Sequence, residues 1–240
     1  MCTVSVFYKG NSDFVLTSNR DEAPNRIALH PEIYQDNLTK VLMPKDKLSG
    51  GSWIGASSKN RVVCLLNGGF VKHKRVLPYR QSRGVVVSDF LKMKTLEDLK
   101  DYNFSNIEPF TIVFVDWNLS LKFIEVVWDG QTSHIKDLDL STCVWSSATL
   151  YNPSQKIERQ NWFTNFIGNN NLNASAFLEF HKTAGKDNLD YGVVMDRTSV
   201  KTTSITQIEK NGNTLSMRFE DFKTKKVVTK KMQLSAVVNG

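Results

Sequence analysis

The sequence predicts an α+β fold in which two packed β-sheets lie between helical layers. Three observations predict it. Alternating apolar and polar residues mark strands at the start of the chain and through its last third. Two regions between them carry apolar residues at helical spacing, each opened by a residue suited to capping. The resulting order of strands, helices, strands, helices and strands suits two sheets covered on their outer faces. A chain of 240 residues can bury a sizeable core, and no Pro-, Ser- or Gly-rich linker or internal repeat divides it. A single domain over residues 1–240 is expected.

The elements follow in order. Residues 3–8 alternate as a strand, 9–13 read as a turn, and the strand resumes at 14–17. Residues 23–49 carry Pro24, Pro31 and Pro44 and show little periodicity, so a long irregular loop is expected there. It leaves directly from the Asn19-Arg20-Asp21-Glu22 run and reads as one wall of a pocket, with Arg26, His30 and Tyr34 as candidate ligand contacts, each alone equally readable as a surface residue. Gly50-Gly51 precedes a short strand at 53–56, and 57–60 turn into the apolar strand 61–66, which ends at Asn67-Gly68-Gly69. A basic loop covers 72–80. Ser82 caps a helix running to about Met93, and a Thr95/Asp98 capping pattern opens a second helix over 95–102. Residues 110–115 and 121–128 form a hairpin, followed by strands at 133–138 and 142–146. Asn152-Pro153 opens a helix with Ile157, Trp162, Phe163 and Phe166 at helical spacing. A shorter helix covers 174–182 and carries His181 as a helix-end residue. The last strands are expected at 192–196, 201–208, 214–220 and 226–232.

Composition narrows the function. Much of the net charge of +7 comes from Lys72–Arg75 and from Lys223, Lys225, Lys226, Lys230 and Lys231, and these late lysines read as a solvated strand face. No helix-turn-helix, zinc-finger or ribonucleoprotein pattern accompanies it, so nucleic acid is not an expected partner. Cys2, Cys64 and Cys143 show no metal-binding spacing, and the latter two sit in apolar runs as small buried residues, as suits a reducing compartment. There is no basic, apolar leader and no transmembrane segment, so a cytoplasmic protein is expected.

The chemistry gathers at the first 22 residues. Cys2 is small enough to permit removal of Met1, which would leave a thiol and a free α-amine on one residue. An α-amine titrates at ~7.7–8.0 and a free cysteine at ~8.5, so the amine can accept the thiol's proton at neutral pH. The first hairpin returns Asn19, Arg20 and Asp21 to the side of Cys2, where a carboxylate and a guanidinium can orient amine and thiolate. At Asn67-Gly68-Gly69, a carboxamide and a backbone N–H can converge on a developing oxyanion, one such donor being worth ~3–4 kcal/mol. Asn-Gly is equally the commonest turn dipeptide.

Met1-Cys2, the Asn19–Glu22 tetrad, Gly50-Gly51-Ser52-Trp53-Ile54-Gly55 and Leu65-Leu66-Asn67 together resemble the NRDE-motif family, also called the transport and Golgi organization family. Ser82-Arg83-Gly84 and Tyr191-Gly192 fit the same resemblance. More distantly, Cys2, Asp21 and Asn67 are similar to the pattern of cysteine N-terminal nucleophile (Ntn) hydrolases of the choloylglycine and penicillin V acylase type. The resemblance implies a four-layer αββα sandwich, the N-terminal nucleophile hydrolase fold. It also implies cleavage of a linear, non-peptide amide C–N bond without a cofactor. Cys2, Arg20, Asp21 and Asn67 would be catalytic, with Asn19, Glu22, Ser147 and Arg197 binding substrate. The sequence departs from the acylases in having Ser147 where they carry a second Asn, and Arg197 or Lys201 stands in for their late Arg. The alternative that the resemblance implies is a non-catalytic haem carrier, with His73 or His30 as ligands. The partners are thus a small-molecule amide or an anionic ligand, with a homo-oligomer left open.

Overall fold

A computed structural model describes residues 3–36 and 38–234. Strands β1 (Thr3–Gly10) and β2 (Asp13–Glu22) form the expected hairpin, antiparallel from Tyr8 opposite Phe14 to Thr3 opposite Asn19. Residues 23–49 depart from expectation, because most of them form a second hairpin of β3 (Ala28–Asp36) and β4 (Thr39–Asp46). The prolines hid it. The ladder shifts register between Leu29 and Glu32, around Pro31, and Pro44 falls in the matching gap of β4. An edge strand and a bulge are where a missing N–H is tolerated.

Strands β5 (Ile54–Ser57) and β6 (Arg61–Asn67) follow, then α1 (Arg83–Lys92) behind Ser82. The helix expected over 95–102 is a single 3-10 turn, Glu97–Leu99. The Asp98 carboxylate accepts from the N–H groups of Lys94 and Thr95, folding the segment back on its own start, and Leu99 is the turn's buried residue. Strands β7 (Phe110–Asp116), β8 (Lys122–Trp128), β9 (Ser133–Leu138) and β10 (Cys143–Ser146) lie as expected. Helix α2 (Pro153–Asn169) starts with a full capping box between Asn152 and Gln155, and α3 (Ala174–Thr183) starts at Asn173. The strand expected at 192–196 shrinks to β11 (Asp196–Arg197), since Gly192 and Val193 donate to Asn188 and Ala184 carbonyls instead of a ladder. Strands β12 (Val200–Asn211), β13 (Thr214–Asp221) and β14 (Val227–Gln233) complete the described chain.

The strands form two seven-stranded antiparallel sheets. The first runs β10-β1-β2-β12-β13-β14, with β11 paired to β12; the second runs in sequence from β3 to β9. Between them lies a core to which both contribute, including Val4, Phe14, Leu16 and Met217 from the first and Ile54, Cys64, Val113 and Phe123 from the second. Helix α1 covers the outer face of the second sheet through Val86, Val87, Phe90 and Leu91. Helices α2 and α3 cover the first sheet through Phe163, Phe177 and Phe180. This is the four-layer αββα arrangement. Arg61, fully buried beneath α1, donates to the carbonyls of Phe90 and Met93 and so satisfies the helix's C-terminal end.

Two glycines set one wall of the site. A Cβ on Gly51 would lie 3.0 Å from the Gly84 Cα, so the start of α1 can touch the β4–β5 turn only where both residues lack side chains. Two further expectations need correction. Ile157 is exposed on α2, while Arg159 is its buried residue beside Phe163; Cys143 is half-buried on the edge strand β10.

Candidate functional site

Successive side chains on a strand point to opposite faces, and the end of β2 divides the tetrad accordingly. Asn19 and Asp21 face α2 and α3. The Asp21 carboxylate accepts from the Thr202 hydroxyl on β12 at 2.6 Å and from the Tyr151 hydroxyl at 3.2 Å. The Asn19 carboxamide donates to the carbonyls of His181 and Val193, each at 3.0 Å, and its oxygen meets His181 Nδ1. That oxygen can only accept, so Nδ1 carries the proton and Nε2 accepts from the Ser5 hydroxyl at 2.8 Å. Burial, with the Arg159 charge adding to it, pushes His181 down to about 3, and the ring is neutral.

Arg159 ties this layer together. Its guanidinium reaches from α2 to the Thr3 hydroxyl on β1, the Ser146 hydroxyl at 2.9 Å and the Gly192 carbonyl at 3.0 Å, and it lies 4.1 Å from the Tyr151 ring centre. Thr3 is thereby linked through Arg159 and Tyr151 to Asp21. Cys2 and Met1 lie outside the described residues. Thr3, the residue after Cys2, opposes both Asn19 and Ser146 in the ladders.

Arg20 and Glu22 take the other face and line a cavity of about 450 Å³. Arg20 Nη2 lies 2.6 Å from Asp46 Oδ2, Nη1 donates to Thr203 Oγ1 at 3.1 Å, and the guanidinium sits 4.7 Å from the Trp53 ring centre. Burial lowers the Arg20 pKa, with Glu22 and Asp46 opposing the shift. Burial alone would raise Asp46, but the Ser49 N–H, Arg26 and Arg20 outweigh it and hold the carboxyl below the usual range. Arg26, from the stretch expected to be a wall of the pocket, does line the cavity and shares Asp46 at 2.7 Å. His30 instead packs 5.8 Å from the Phe219 ring, and Tyr34 lies under the Lys45 ammonium.

Asn67 lines the same cavity at the end of β6, and its carbonyl accepts from the Ser147 hydroxyl at 2.7 Å, a bond that joins the two sheets. Gly68 donates its N–H to the Pro109 carbonyl at 3.0 Å. Arg197 sits elsewhere, donating to the Leu150 carbonyl at 3.2 Å and paired with Asp190 at 2.9 Å. Arg20, Glu22 and Asn67 are therefore brought together at the cavity. Asp21 is held on the opposite face, Asn19 is fully buried beside it, and Arg197 lies in a separate groove. Sequence reasoning missed Thr202, Tyr151 and Arg159. For Arg159 a signal existed: it stands four residues before Phe163, on the inward stripe of α2. Burial pushes the Cys64 thiol up to about 12, which makes it an inert core residue.

Residues 1–209 match the family described as Transport and Golgi organisation 2. No curated protein matches the chain in sequence. Among solved structures, the fold is similar to that of a mutant of the conjugated bile acid hydrolase from Clostridium perfringens. The TM-score is 0.55 at 13% identity, covering 97% of this chain and 92% of that one. It is also similar to a Caenorhabditis elegans N-acylethanolamine-hydrolyzing acid amidase ortholog, with TM-score 0.59 and 12% identity over 86% of this chain and 92% of the other.

Proposed function

We propose that this chain, which belongs to the Transport and Golgi organisation 2 family, is a cysteine N-terminal nucleophile amidohydrolase. Its substrate is a linear, non-peptide amide, and its nucleophile is Cys2 after removal of Met1. The observation that carries this reading is the Asp21 carboxylate. Thr202 and Tyr151 pin it on the strand that pairs with β1, whose first residue follows Cys2 in the chain. The hydrolase names of the two structural relatives support the reaction class.

In this reading the α-amine takes the thiol proton, with Asp21 orienting it. The sulfur attacks the amide carbonyl carbon, forming the C–S bond, and Asn67 donates its carboxamide N–H to the oxyanion. Collapse breaks the C–N bond, and the leaving amine takes the proton from the α-ammonium. Water then attacks the thioester, with the amine again as base, releasing the acid and restoring the thiol. Arg20 meets the substrate at the cavity wall, held in place by Asp46.

Intact mass and turnover of a panel of acyl amides test the proposal together. The purified protein should lack Met1, Cys2→Ala should abolish turnover, and Cys2→Ser should retain a fraction. A native protein that keeps Met1, or a Cys2→Ala variant as active as the parent, would overturn it.

A further inference from the structure

We propose that the loop of residues 68–81 docks on an anionic lipid surface. Phe70, Val71, Val76 and Leu77 are 55%, 74%, 65% and 64% exposed, a concentration of bare apolar side chains within one short loop. Exposed cations, Lys72, Lys74 and Arg75, stand between them. One nearby carboxylate, Glu108, already receives His73 and Arg83, each at 3.3 Å, and Arg75 at 3.8 Å. Lys72 and Lys74 have no ion pair among the described residues, so the loop carries unbalanced positive charge.

The loop is presented rather than loose. Gly68 donates to Pro109 at one end, and the Arg80 N–H donates to the Asn106 carbonyl at 2.7 Å at the other. The Phe70 ring rests edge-on against His134, 4.9 Å between centres. With its ends fixed, the loop holds its apolar tips in water at little further ordering cost on docking.

Interleaving decides the occupant. A bilayer with acidic headgroups takes apolar side chains below the headgroup level and lysine ammoniums at it, the stems snorkelling between the two. A protein partner would have to desolvate the lysines, a residue type that interface cores avoid. Arg75, Leu77, Pro78 and Tyr79 also line the cavity described above, so a docked bilayer lies at its mouth. The inference does not depend on Cys2 chemistry.

Co-sedimentation of the full chain with phosphatidylcholine vesicles, with and without phosphatidylserine, tests it. Binding should require phosphatidylserine and weaken as salt is raised. The double variant Lys72→Ala, Lys74→Ala should lose affinity by on the order of tenfold, and Val71→Ser with Val76→Ser should lose binding with an unchanged melting temperature. Absence of binding to either vesicle at low salt would overturn the proposal. So would full binding by the lysine double variant, or a dimer in solution that the valine pair dissolves.

Discussion

Across the end of β2, two neighbouring charged residues live in different surroundings. Arg20 looks between the sheets into a water-accessible cavity and shares Asp46 with Arg26. Asp21 looks the other way, into a layer where Thr202, Tyr151, Arg159, Asn19 and His181 are buried. The cavity face is built from ion pairs that a ligand can compete for. The helix-facing side holds the buried Asp21 carboxylate and Arg159 guanidinium in hydrogen bonds with hydroxyls and carbonyls, beside one neutral imidazole, an arrangement that fixes position. The tetrad is therefore divided between two environments joined by a peptide bond, which the proposed function reads as a substrate side and a nucleophile side.

The sharpest way to break that comparison is Asp21→Asn. It keeps shape and removes the charge, and turnover should fall by ~10²–10⁴-fold while KM changes little; steady-state kinetics on an acyl amide would read it. An equal loss in KM would put Asp21 on the substrate side. Arg159→Met comes next. It removes the charged hydrogen bonds to Thr3, Ser146 and the Gly192 carbonyl and should destabilise the fold by roughly 2–4 kcal/mol in urea denaturation, with kcat falling further than KM rises.

His181 supplies a pH test of the buried face. Its folded pKa, about 3, lies below the unfolded value of ~6.5, so the unfolded chain binds the extra proton between them. Stability is full above pH ~6.5 and falls as the pH drops toward the folded pKa, by roughly 2–3 kcal/mol between pH 7 and pH 4.5. His181→Gln should flatten that slope, measured as urea midpoints across the range. The smallest effect is expected on the cavity face. Arg26→Ala leaves Asp46 paired with Arg20, and Arg26 is itself a third exposed, so the loss should stay at about 0.5–1 kcal/mol and shrink in salt.

How much of this was legible depends on how local each cause was. The first hairpin could be read because β1 and β2 alternate and share a short turn. The β3–β4 hairpin could not, because an edge strand with a bulge at Pro31 loses the alternation that marks strands. Asn152 announced α2 through a cap that acts within one turn, and the structure adds the same device at Asn173 before α3. The 95–102 helix failed although its cap was present, because Asp98 closed a turn that little apolar surface extends.

By itself the sequence determined most of the strands and three of the helices, the layering of two sheets between helices, and the Asn19–Glu22 run as a set of residue types at the end of the first hairpin. Tertiary structure alone decided which face each tetrad member serves. It also placed Thr202 and Tyr151 on Asp21, and it set Arg159 against Thr3 although they lie 156 positions apart in the chain. Alternation and capping act over a few residues and leave a mark in the string of letters. The approach of a helix to a sheet depends on how two covered faces pack, and no short stretch of sequence encodes that distance.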